Sequence, residues 1–259
     1  MLRGGKTFLG QVKIQFTIAG EVEDTFLDYA GEAVHWIKIN GTKIEDQNPF
    51  ANDKISLKKE HLVKGSNIVE IKYESRYVRD CEGVHYYKDT ADEEEYLYSQ
   101  FEAASAHKAF PCFDQPNLKA PYTFLAIVPK TWIVLSTEQQ CSPTSHQGTQ
   151  EFSLQLAKFG LKEDEFTKGF NGEAVSAFEF GLSKKISVYL YSCIAGPYST
   201  IESAQEDIKN YRFPLKLYCR KSIKQYVEKA KEEYFTVTKS GIDFYERLFS
   251  TKYPFAKLD

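Results

Sequence analysis

Residues 96–121 read YLYSQFEAASAHKAFPCFDQPNLKAP. The stretch is dense in aromatic side chains and carries two close polar residues, Gln100 and Glu102, that could face a ligand. It also contains the proline-punctuated run FPCFDQP at 110–116. Neither a periodic helix nor a simple strand needs that composition. Pro111 and Pro116 stiffen a loop, Phe110 and Phe113 bury it, and Asp114 can cap backbone amides. On their residue types alone, Gln100 and Glu102 read as polar positions at a strand edge. His107 reads as a surface histidine that titrates near neutrality.

Outward from this block the pattern is one of strands. Val12, Ile14, Phe16 and Ile18 alternate with Gln11, Lys13, Gln15 and Thr17, the period of a half-buried strand. Ile37 and Ile39 precede Asn40-Gly41, a pair that accepts the positive φ angles of a tight hairpin. Val69, Ile71 and Tyr73 repeat the alternation, as do Phe124, Ala126 and Val128. Stretches 175–182 and 186–194 read as two further strands joined by Ser183-Lys184-Lys185. Many short strands with turns between them predict an antiparallel sandwich or saddle-shaped sheet.

After Gly196-Pro197 the character changes. Residues 199–212 are polar and read as a connection, and 213–219 as one more strand. Ser222 then opens a long helix, with Gln225 completing a capping box. Ile223, Tyr226, Val227, Ala230, Tyr234, Val237, Gly241, Phe244 and Leu248 follow a helical period, opposite Lys224, Glu228, Lys231, Glu232 and Lys239. Tyr253-Pro254 is the expected stop. Asp92–Glu95 reads as a solvated acidic turn. The fold class is therefore mostly β: an antiparallel sandwich or saddle over 1–198, then a partial α/β segment over 199–259 with one long amphipathic helix.

Composition narrows the function. A net charge of −3 supplies no general attraction to nucleic acid. No apolar run approaches the ~20 residues of a membrane span. The start, MLRGGKTFLG, has no apolar core of a secretory signal, so a cytoplasmic location is expected. The five cysteines, at 81, 112, 141, 193 and 219, are widely spaced and include no CxxC pair, so they read as reduced, mostly buried thiols.

Four stretches together resemble the front part of the zinc aminopeptidases of the aminopeptidase N family. YLYSQFE followed by FPCFDQP is similar to that family's Y-x-x-Q-F/M-E and F-P-C-F-D-E-P, with His107-Lys108 and Gln115 standing where relatives usually have two basic residues and Glu. CEGVH at 81–85, AGPY at 195–198, and the lead from LYCR at 217–220 to YPFAKLD at 253–259 follow in the family's order. The resemblance implies a β-saddle closing one side of an active site. It implies that Gln100 lines the pocket for the substrate's first side chain and that Glu102 accepts hydrogen bonds from its free α-ammonium group. A carboxylate in a partly dry pocket pairs with an ammonium and penalises a blocked N-terminus.

The family's zinc chemistry needs H-E-x-x-H, two histidines one turn apart gripping the metal with the glutamate between them as base. The histidines here, at 35, 61, 85, 107 and 146, include no His-Glu pair and no i, i+4 pair. No catalytic residue and no metal ligand are thus expected in this chain, and zinc belongs to the complete family enzyme. The resemblance places the family's catalytic motifs beyond Asp259 and an additional strand before Phe8. From this follow an open sheet edge and an uncovered helix stripe, both expected to meet a protein partner. The peptide N-terminus is the expected ligand once a catalytic domain is present. The alternative is a non-catalytic remnant acting as a structural or interaction subunit.

Overall fold

A computed structural model of the chain describes residues 5–45, 49–204 and 213–259. Its first sheet holds β1 (Thr7–Ile18), β7 (Gly65–Arg76), β3 (Ala33–Ile39) and β4 (Thr42–Lys43) in the order β1-β7-β3-β4. Lys13, Gln15 and Thr17 of β1 are exposed, and the apolar positions between them pack on the core, as their alternation predicts. The β3–β4 hairpin turns at Asn40 (φ 51°) and Gly41 (φ 84°), the left-handed pair that an Asn-Gly turn requires. The second sheet is β2 (Thr25–Asp28), β6 (Lys54–Leu57) and β5 (Phe50–Ala51).

The third sheet orders β11 (Ile133–Ser136), β14 (Cys193–Gly196), β9 (Glu95–Gln100) and β8 (Gly83–Lys88). Together these sheets enclose one apolar core in which Leu27, Ile55, Ile71 and Leu97 are fully buried. The fourth sheet, β10 (Phe124–Pro129), β13 (Val175–Phe180) and β12 (Ser145–His146), carries a smaller core under helix α1 (Gln150–Lys158), which a second short helix, α2 (Glu163–Thr167), follows. A third cluster joins β15 (Ser199–Glu202) and β16 (Lys216–Cys219) to helix α3 (Lys224–Leu248) through Ile201, Leu215, Cys219 and Phe235. Every strand pairing within these sheets is antiparallel.

Residues 150–158 form α1. Thr149 caps it by accepting from the Phe152 amide at 3.2 Å, and the i, i+4 pair Phe152 and Leu156 is buried while Leu154 is exposed. Residues 186–194 are not one strand. Ile186 pairs with Ala120, and a 3-10 turn at Val188–Leu190 follows before β14 begins at Cys193.

The polar stretch after 198 opens with a strand, β15, rather than a loop, and residues 205–212 lie outside the described residues. Ser222 does not cap α3. The residue ahead of the helix is Ile223, without a side-chain cap, and the helix ends at Leu248, before Tyr253-Pro254. No helix among the described residues is long and apolar enough to cross a membrane.

Candidate functional site

Strand β9 runs through the middle of the third sheet. Leu97 points into the main core, so its neighbours Tyr96, Tyr98 and Gln100 share the opposite, outward face. That face is covered at one end and open at the other. At Tyr96 the ring packs edge-on against Tyr198 at 4.9 Å, and its hydroxyl donates to Asp92 Oδ2 at 2.8 Å and accepts from the Lys221 amide at 3.0 Å. Gly196 makes this packing feasible. A Cβ there would meet Glu95 O and Tyr198 at 3.1 Å and Tyr96 at 3.2 Å.

At the open end Gln100 pairs with Gly83 of β8 and is exposed. Its Oε1 accepts the Glu102 amide at 3.1 Å, which holds Gln100 and the start of the next turn together. Phe101 turns inward and meets Phe110 edge-on at 5.8 Å. Glu102 then faces solvent, joined to Ala103 by a cis peptide bond. Among the described residues its carboxylate has no hydrogen bond or ion pair. Lys108 is engaged elsewhere, by Glu82 at 2.5 Å and Asp80 at 3.9 Å. Gln100 and Glu102 thus both stand exposed at one open rim, the Gln100 side chain bonded to the Glu102 backbone amide.

Three further residues line this face. His85 pairs with Tyr98 across the hairpin, their rings 4.7 Å apart, and the Tyr98 hydroxyl lies 3.6 Å from Cys81 Sγ. Burial holds the His85 pKa below its ordinary value. The period-two spacing of Tyr96, Tyr98 and Gln100 was the signal for Tyr98. Nothing local announced Cys81 as its neighbour. A cleft of about 790 Å³ elsewhere is lined by Lys6, Glu32, Glu74, Arg76, Arg79 and others and includes neither Gln100 nor Glu102.

The loop 110–116 behaves as its prolines and phenylalanines predict. Asp114 is an amide cap: its Oδ2 accepts the His107 amide at 3.1 Å. His107 is no free surface residue, because its Nδ1 lies 2.7 Å from the same oxygen. Asp92–Glu95 is likewise more than a solvated turn. Asp92 receives the Tyr96 hydroxyl and the Ser222 amide, and Glu94 the Lys221 ammonium.

Among the described residues no three His, Cys, Asp or Glu side chains converge on a point. The cysteines are free, with 112, 193 and 219 buried and 81 and 141 exposed.

Comparison with known proteins gives this chain its relatives. The peptidase M1 N-terminal domain model matches residues 2–156. An aminopeptidase N of Streptomyces lividans is 28% identical over 98% of this chain and 26% of its own length. A mitochondrial aminopeptidase 2 of Saccharomyces cerevisiae is 26% identical over 97% of this chain and 24% of its own. An aminopeptidase N of Acetobacter pasteurianus is 23% identical over 96% of this chain and 62% of its own. The chain therefore spans about a quarter of the first two relatives. With the model matching more than half of its residues, the chain belongs to the M1 peptidase family and carries that family's N-terminal domain.

Proposed function

We propose that this chain is the substrate-side wall of a zinc-dependent aminopeptidase, with Gln100 and Glu102 reading the N-terminal residue of a peptide. The observation that carries the reading is the Glu102 carboxylate at the open rim, without a hydrogen bond or ion pair among the described residues, while its backbone amide donates to Gln100 Oε1 at 3.1 Å. Such a carboxylate accepts hydrogen bonds from a free α-ammonium group, and acetylating that group removes both the charge and two of the donors. Zinc and its ligands would come from outside these 259 residues, since the sequence holds no H-E-x-x-H, and the chain alone is expected to be inactive. We place the domain boundary at 198/199, where a separate apolar cluster takes over.

The test is turnover of free and N-acetylated peptides by native material whose zinc content and intact mass are read together, for wild type and Glu102→Gln. Loss of discrimination in the variant supports the reading. Unchanged discrimination overturns it.

A second reading, a non-catalytic interaction subunit, draws on the outer stripe of α3. Tyr226, Tyr234, Val237, Phe244, Tyr245 and Leu248 are all exposed there. Native material of 29.7 kDa without zinc or turnover, recovered in a fixed ratio with other chains, favours that reading.

A further inference from the structure

The turn that carries Glu102 is closed by the Ser105 amide donating to Phe101 O at 2.9 Å. It continues into a 3-10 turn at Ala106–Lys108, closed by the Ala109 amide on Ala106 O. Three bonds at one residue tie it to its surroundings. His107 O accepts the Ala30 amide at 2.9 Å, and the His107 amide and Nδ1 both meet Asp114 Oδ2. The Asp114 amide donates to Asp28 Oδ2 at 3.2 Å, and Asp28 and Cys112 exchange both backbone bonds. One path from Glu102 to β2 therefore runs through the His107–Asp114 pair, beside the direct backbone bond from Ala30 to His107 O.

The charges around the pair are unbalanced. The Asp114 side chain is only 4% exposed and that of His107 24%. Asp28 adds a second carboxylate from β2. Lys108, beside His107, has its ammonium drawn to Glu82 and Asp80. Cys112 and Tyr122, packed on the Asp114 side, are both kept neutral by burial, the phenol pushed up to about 12. The hydrogen bond to Asp114 raises the His107 pKa above its ordinary value. Burial and Lys108 act against this, and the charges of Asp114 and Asp28 act with it.

We propose that His107 is a proton-controlled positioning residue. As an imidazolium it clamps the turn carrying Glu102 to Asp114 and β2, and as a neutral ring it lets that turn slacken. Because the folded state binds the proton more tightly than the unfolded chain, the clamp is fully engaged below the ordinary histidine range. It is released as the pH rises through the elevated folded value. The bearing of the clamp on peptide recognition rests on the reading of Glu102 above. The clamp itself is measured without peptide, so either can fail alone.

The experiment is hydrogen–deuterium exchange by mass spectrometry on the full chain at about pH 5.5 and about pH 8.5, either side of the histidine range, corrected for intrinsic exchange. β1 serves as the internal reference. In the wild type, protection of residues 101–110 is expected to fall about three- to tenfold between the two conditions while β1 holds. His107→Arg, charged throughout, keeps the protection at both. His107→Gln shows the slack level at both. The proposal is overturned by a wild type without the step, by a step that persists in either variant, or by an equal step in β1.

Discussion

The hydroxyl of Ser222 donates to Asp89 Oδ2 at 2.5 Å across 133 positions of sequence. The same carboxylate oxygen holds Arg220 at 2.6 Å, and the Arg220 guanidinium lies over the Tyr87 ring at 4.8 Å. Together with Asp92 and Tyr96 this forms the joint between the β8–β9 hairpin and the start of α3. Strand β9 carries Gln100 at its other end, so the joint sets how the candidate wall stands relative to the helix.

Asp89 makes this joint sensitive to acid. Its hydrogen bond from Ser222, then that from the Ala91 amide, hold its pKa below the ordinary carboxylate value, aided by Arg220 and opposed by burial. A lowered folded value means that the contribution is present above about pH 4 and lost as the pH falls through the folded value. Asp89→Asn is expected to lower the thermal midpoint at neutral pH and to flatten its decline on acidification. Thermal unfolding monitored across pH checks both.

Helix α3 presents two apolar faces with opposite consequences. Phe235 is 4% exposed and anchors the third cluster, whereas Val237 is 66% exposed. Phe235→Ala is expected to cost about 3–5 kcal/mol in denaturant unfolding of this unit. Val237→Ser should stay within about 0.5 kcal/mol and reduce binding of an apolar dye to the stripe.

Gly196 is expected to tolerate no side chain. Gly196→Ala places a methyl against Glu95 O, Tyr96 and Tyr198 at a φ of 156°, and should destabilise by about 1–3 kcal/mol. Near-ultraviolet circular dichroism should report the disturbed Tyr96–Tyr198 pair.

For the proposed peptide reading, Glu102→Gln removes a charge-assisted contact and should lower kcat/KM for free peptides about 10- to 100-fold in zinc-loaded native enzyme. Gln100→Ala should instead alter the preference for the first side chain, with a smaller loss across all substrates. Steady-state kinetics on a series of N-terminal residues separates the two.

What could be read without coordinates was local or colinear. The alternation of β1 and the Asn40-Gly41 turn follow from period-two patterning and positive φ, which need only neighbouring residues. Helix α1 was not legible, because Phe152, Leu154 and Leu156 lie two apart while only Phe152 and Leu156, one turn apart, are buried. The capping box of Ser222 and Gln225 failed because a buried carboxylate on a distant hairpin took the serine hydroxyl. The most regular apolar stripe of α3 proved to be largely its exposed side, since periodicity shows that a face exists and not whether something covers it.

The mostly β class, the family and the closeness of Gln100 and Glu102 in the chain were all legible in the residues, because motif order and strand period are properties of the chain alone. Folding places this pair at the open end of a covered sheet face, brings Tyr98 to His85 and Cys81, and sets Asp114 on His107 while Asp89 and Asp92 receive the start of α3. The physical reason is that a buried or half-buried carboxylate bonds to whichever donor the fold delivers to it, and across many tens of residues that delivery is set by packing rather than by pattern.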